Sequence, residues 1–286
     1  DSASVAVLPN SVWRGSLIMP RPCGVAGMCP IQISLHADEI STAQLGSLFN
    51  PQNSKAPWYQ FLMASQRDSY LLGLRATGQL TADRILVHKL AGTHFSTSFE
   101  LDRGKLHLAD VRATVFGGMH SGDWRLDFTV RPPAYSGEGS FQNVVLTQFA
   151  SAMHDNWISG TASATYHATA FGSNAADLFS SATGIIQIEA RDGSMPHIVL
   201  ANFAGPLQLR MLKGNLLLRR QELDFTDAKV ETNAGTYRVA GTASLGRTLN
   251  LKLTRSGSRG FNIAGTISAP VISTNSIPET QAALKP

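Results

Sequence analysis

Leu106-His107-Leu108-Ala109-Asp110-Val111-Arg112-Ala113-Thr114-Val115 and Leu223-Asp224-Phe225-Thr226-Asp227-Ala228-Lys229-Val230-Glu231-Thr232 carry one pattern twice. Apolar side chains hold every second position up to an aspartate. They then resume one residue out of step, at Val111, Ala113 and Val115 or at Ala228 and Val230. Period two marks a strand with one buried face. A one-residue slip in an unbroken strand would turn its apolar side chains to the wrong face, so each segment needs a bulge or tight turn at its aspartate. Aspartate suits that place because its short carboxylate bonds to nearby backbone. Asp110 and Asp227 therefore read as structural, and the two copies hint at a repeating strand unit.

The same alternation runs outward from these copies, through residues 78–90 and through Gly184-Ile185-Ile186-Gln187-Ile188-Glu189-Ala190, with Arg191-Asp192-Gly193 after it as a hairpin signal. Glycine-rich breaks at 117–118, 233–235 and 256–260 punctuate the rest. The fold class expected is mainly β: an elongated, curved antiparallel sheet forming a β-groove, with a few short α-helices plugging or capping it. Four helices are expected. One starts at Ser41 and carries Leu45, Leu48 and Phe49, and one starts at Ser54 and carries Trp58, Phe61 and Leu62. A third lies near Thr147 to His154, and a fourth starts at Asn174 with Ala175, Leu178 and Phe179 inward. Each is too short to stand alone.

Charged residues make up 15% of the 286 residues against 43% hydrophobic, which excludes a disordered chain and leaves little ionic surface. The 24 basic and 20 acidic residues are scattered, and the neighbours Arg219 and Arg220 would point to opposite sides of a strand, so nucleic acid is not an expected partner. No window is apolar for the roughly 18 residues that a membrane-crossing helix needs. The two cysteines, Cys23 and Cys29, sit in a loop with two glycines between them and a proline on either side. That arrangement favours a small disulfide ring over metal binding, which needs more ligands than two thiols. The ring would stabilise by only about 2 kcal/mol, and it points to an oxidising compartment.

Local catalytic signatures are missing: there is no Gly-x-Ser-x-Gly, phosphate loop, His-Glu-x-x-His or Cys-x-x-Cys. The spacing of His88, His94, His107 and His120 suggests no shared metal site, and all four read as solvated. Asp83, Asp102, Asp123, Glu138 and Glu189 could meet across strands, yet nothing selects a pair. Trp124 and Trp157 lie in strand-like surroundings, where an aromatic is ordinarily core. The expectation is a protein without catalysis, cofactor or metal.

Residues 99–122, from Phe99 through Asp110 to Gly122, resemble a segment of the bacterial AsmA family's C-terminal region. Ile158-Ser159-Gly160, Asn174 to Gly184, Ile188 to Gly193 and Phe261 to Pro270 follow in the family's order, and Leu35 to Asn50 resembles its strand-to-helix start. The resemblance covers most of 31–272. It sets off 1–30 as an N-terminal segment with the cysteine loop, 31–272 as an AsmA-like β-groove domain and 273–286 as a C-terminal tail. It implies a periplasmic protein anchored to the inner membrane by an N-terminal helix not in this sequence. Its sheet would bind or conduct phospholipid or another acyl-chain lipid, in support of outer-membrane lipid homeostasis, or act as a structural or chaperone-like domain with envelope protein partners. Candidate groove liners, from the alternation, are Leu106, Leu108, Val111, Val115, Ile186, Ile188, Leu216, Leu218, Val230, Leu249, Leu251 and Leu253. A lipid-handling module predicts a continuous apolar concavity, a structural domain predicts a closed core and an exposed sheet edge, and an enzyme predicts a polar pocket with perturbed carboxylates.

Overall fold

The structure, a computed structural model, describes residues 2–8, 11–18, 29–41, 73–87, 90–200, 205–255 and 258–274. These residues form one sheet of 16 strands in sequential order. It runs β1 (Ser2–Leu8), β2 (Ser11–Ile18), β3 (Ile31–Ser41), β4 (Arg75–Val87), β5 (Leu90–Asp102), β6 (Lys105–Val115), β7 (Gly118–Asp127) and β8 (Ala134–Val145). It continues with β9 (Thr161–Phe171), β10 (Thr183–Met195), β11 (Leu207–Arg219), β12 (Glu222–Thr232), β13 (Gly235–Ser244), β14 (Thr248–Arg255), β15 (Ser258–Thr266) and β16 (Pro270–Thr274). β1 does not pair with β16, so the sheet is open, and it curves along its length. The mainly β, groove-like fold read from the alternation is thus the one the chain adopts.

One pairing departs from the antiparallel expectation. β3 and β4 run parallel, with Ile31 beside Ala76 and Leu35 beside Leu80. A parallel pair needs a crossover of a dozen or more residues, and the chain between Ser41 and Arg75 is long enough to supply it. Alternation alone is blind to strand direction.

The slips at both aspartates are bulges. Leu108 pairs with Trp124 and Val111 with Gly122, leaving one extra residue on β6, where Asp110 has φ +52°. In β12, Phe225 pairs with Gly241 and Ala228 with Val239. The same break recurs with other residues at positive φ, at His94 in β5 and Asn143 in β8. Asp192, expected in a hairpin turn, instead has φ +51° inside β10, which runs on to Met195. Bulges bend the strand and raise its twist, and a row of them curls a sheet.

Two short helices occur among the described residues. α1 (Leu146–Ala152) follows β8, and α2 (Ala175–Ser181) joins β9 to β10. Asn174 caps α2, its side chain accepting from the Asp177 N–H. Phe179 does not point inward as expected but is 55% exposed, because a two-turn helix with Leu178 half-buried has only one narrow face to offer the sheet. The helices expected within 42–50 and 54–62, His88, and Cys23 with its loop lie outside the described residues.

Candidate functional site: an apolar trough and its plug

Cross-strand partners share a face. One register line can be followed from strand to strand: Leu17, Ile33, Gly78, Phe99, Leu108 and Trp124 are successive neighbours from β2 to β7. Gly137, Ala168, Gly184, Leu218 and Leu223 continue it to β12. Ala243, Leu249, Gly265 and Pro270 carry it to β16. No side chain on this line is charged. All twelve candidate liners fall on its face. Leu106 lies beside Leu101 and Leu126, Val111 and Val115 beside Gly122 and Gly118, and Ile186 and Ile188 beside Leu216 and Gly214. Leu218 and Val230 lie beside Leu223 and Tyr237, and Leu249, Leu251 and Leu253 beside Ala243, Gly241 and Val239.

Exposure divides the twelve. Leu216, Val230 and Leu253 are each 4% exposed and Val111 8%, whereas Leu106, Leu108, Val115, Ile186, Ile188, Leu218, Leu249 and Leu251 are half-buried. The chain itself covers the β9–β16 part of the face. An excursion leaves β8 through α1, its base closed by the Leu146 N–H donating to Gly160 O at 2.9 Å, and it brings Leu146, Ala150, Trp157 and Ile158 onto the cluster containing Val230, Leu253 and Ile263. Ile198 and Leu200, between β10 and β11, join the same cluster. The excursion reaches the far rim. The Arg247 guanidinium donates to Met153 O, and the Ser268 hydroxyl donates to Asp155, whose Oδ1 lies 3.1 Å from His197 Nε2. Two chain segments therefore plug one half of the trough.

In the other half an aromatic group stands on the apolar face. The Trp124 indole lies over Gly137, where a Cβ would stand 2.5 Å from the ring, and the Trp124 and Tyr166 rings are 6.0 Å apart. His120 joins them, with Nε2 2.8 Å from Tyr166 Oη and its ring 4.7 Å from that of Phe141. At 8% exposure His120 is buried, against the expectation that it is solvated, because it occupies an inward position beside Phe141. Burial lowers its pKa and pushes that of Tyr166 up to about 12. Period two assigned the strand faces but not this polar exception.

The opposite face is polar and ion-paired. Asp102 accepts from Arg103 at 3.2 Å and from Arg75 at 2.8 Å, and these partners, Arg103 first, hold its carboxyl below the ordinary range. Glu189 is lowered by Arg191 first and by Lys213. Asp123 and Glu138 are cross-strand neighbours, each beside a histidine, with His107 Nε2 3.6 Å and His167 Nδ1 3.7 Å away. Asp83 lies 3.7 Å from His36 Nε2. Cavities of about 420 Å³, around Asp127 and Phe171, and about 720 Å³, around Gln187 and Lys213, open mainly among polar-face residues.

The sequence profile of the AsmA family matches residues 50–239, about two thirds of the 286 residues. The chain belongs to the AsmA family. No curated protein and no solved structure gives a match. The matched span of this AsmA-family chain contains the half-buried residues from Leu106 to Leu218, the aromatic group, the plug and both aspartate bulges, and it ends in β13. Among the described residues no helix is long and apolar enough to cross a membrane.

Proposed function

We propose that this AsmA-family chain is a periplasmic, non-catalytic module that holds phospholipid or another acyl-chain lipid against the β4–β10 part of its apolar face and passes it on within the cell envelope. A helix upstream of residue 1 would tether it to the inner membrane, and its work would support outer-membrane lipid homeostasis. The observation that carries this reading is the unbroken apolar register line from Leu17 to Pro270. Apolar surface on that scale requires a cover in water, and the plug supplies one only over β9–β16. Leu106, Leu108 and their neighbours Phe99 and Leu126 offer an acyl chain a dry wall, with the ion-paired face turned to water. The loop of Cys23 and Cys29 is proposed as a disulfide, so that neither thiol titrates in denaturant until reductant is added.

The test is uptake of a fluorescent acyl-chain lipid, with extraction and mass spectrometry of lipid carried through purification. Wild type is expected to take up lipid. Leu108→Asp should abolish uptake while keeping the β circular dichroism spectrum, and Leu251→Asp, beneath the plug, should reduce it less. A wild-type chain that neither carries nor takes up lipid, or uptake unchanged in both variants, overturns the reading. A second reading, a structural or chaperone-like envelope domain, is favoured by the plugged half and by the edge strand β16, where Val271 is 66% exposed. It predicts strand-peptide capture without lipid uptake.

A further inference from the structure

The slip that bends β5 and β6 is also present in β3 and β4. Ala37 and Ile40 are both buried although three apart, and Ala82 and Ile85 pack with them. Each strand therefore turns two consecutive residues to the polar face, Asp38 with Glu39 and Asp83 with Arg84. The register passes from Ala37 beside Ala82 to Glu39 beside Arg84, so Asp38 and Asp83 occupy matching places in adjacent parallel strands. Like charges side by side repel and call for a cation between them. Among the described residues Arg14 approaches Asp38, at 3.8 Å, and Arg84 turns to Glu39, at 3.7 Å.

The third member is His36, on the same face two residues before Asp38. Its Nδ1 is 3.0 Å from Thr81 Oγ1, and the Thr81 hydroxyl donates to Leu35 O at 3.4 Å. With that proton directed at the carbonyl, Thr81 oxygen accepts from Nδ1–H and the bare nitrogen is Nε2, the arrangement that fixes a metal-binding imidazole. Nε2 faces Asp83 Oδ2 at 3.7 Å, too long for a hydrogen bond. It is close to the roughly 3.4 Å separating two ligands of a tetrahedral ion with bonds near 2.1 Å. One ligand atom from each of His36, Asp38 and Asp83 lies within 4.8 Å of the others. The carboxylates are exposed enough to close that distance by rotating.

We propose that His36, Asp38 and Asp83 form a site for a divalent cation of the zinc type, with Thr81 as the positioning residue and water completing the coordination. Imidazole with carboxylates suits zinc and its transition-metal neighbours, whereas calcium and magnesium prefer oxygen alone. The site spans the parallel junction of β3 and β4, so a bound ion would cross-link the strands on either side of the crossover. It stands apart from the apolar face and is independent of what that face binds.

The test is calorimetric titration of the metal-stripped chain with zinc chloride at neutral pH. One saturable zinc per chain is expected, weakened at least about tenfold by His36→Ala and by Asp83→Asn. Thr81→Val should weaken it by about tenfold while leaving the melting temperature of the metal-free chain unchanged. Absence of saturable zinc binding, wild-type zinc affinity in His36→Ala or in Asp83→Asn, or calcium binding as tight as zinc and indifferent to His36→Ala each overturns the site.

Discussion

Asp155 and His197 come from different excursions, one between β8 and β9 and the other between β10 and β11, yet Asp155 Oδ1 and His197 Nε2 lie 3.1 Å apart. The second carboxylate oxygen accepts from Ser268, in the turn between β15 and β16. One side chain thus ties both halves of the plug to the far rim. Ser268 first, then His197 and Arg247, hold the Asp155 carboxyl below its usual range. A carboxylate with a lowered folded pKa stabilises above its unfolded value, near 3.9, and that contribution is lost as pH falls through the folded value. Asp155→Asn is expected to lower the melting temperature by a similar amount at pH 7 and pH 5, and by nothing in strong acid. Hydrogen exchange in 146–160 should rise in the variant. A melting difference that grows in acid would contradict the latch.

Asp110 tests the bulge. Its φ of +52° is open to glycine at no cost, while a β-branched residue there meets roughly 1–2 kcal/mol of steric opposition. Asp110→Gly should be near neutral and Asp110→Val destabilising. Deleting Asp110 is far worse, because it removes the extra residue and turns Val111, Ala113 and Val115 outward. Chemical denaturation of the three variants gives the order, and a deletion as stable as Asp110→Gly would refute the register.

This break is the part of the fold most plainly written in the sequence, since a polar residue interrupting a period-two run requires either a bulge or a tight turn, and the register shows the bulge. Apolar residues three apart around Asp38-Glu39 and Asp83-Arg84 carry the same signal in shorter form, and they were legible by the same rule. The parallel pairing of β3 and β4 was not, because alternation is the same in both directions. Nor was the plug. Leu146, Ala150 and Ile158 reveal apolar content, but their burial against Leu253 and Ile263 depends on contacts a hundred residues away in sequence. All twelve candidate liners were placed on one face by alternation, whereas whether protein covers that face is decided by the plug.

Leu253 and Leu108 separate plugged from unplugged surface. Leu253, 4% exposed between Val239 and Phe261, is expected to cost about 2–5 kcal/mol as Leu253→Ala, the range for a cavity in a closed core. Leu108→Ala should cost less, because a half-buried side chain has fewer neighbours to lose. Urea denaturation of both variants measures the difference, and equal losses would mean that Leu108 is sealed as tightly as Leu253.

His120 supplies a pH dependence of opposite origin to that of Asp155. Its pKa is lowered by burial, so below about 6.5 the unfolded chain binds a proton that the folded chain resists. The folded state therefore loses stability as pH falls from 7.5 toward 5, and holds the full contribution above the unfolded value. Replacing the imidazole in His120→Gln removes the titrating group, so the slope of melting temperature against pH across that window should flatten. Tyr166, raised to about 12 and 2.8 Å from the same ring, provides the control. In a spectrophotometric titration of the folded wild type, one tyrosine should resist ionisation until near pH 12. In Tyr166→Phe that late phase should vanish while the melting slope due to His120 persists. If the slope survives His120→Gln unchanged, the acid sensitivity lies elsewhere and the inward imidazole is not the group that resists protonation.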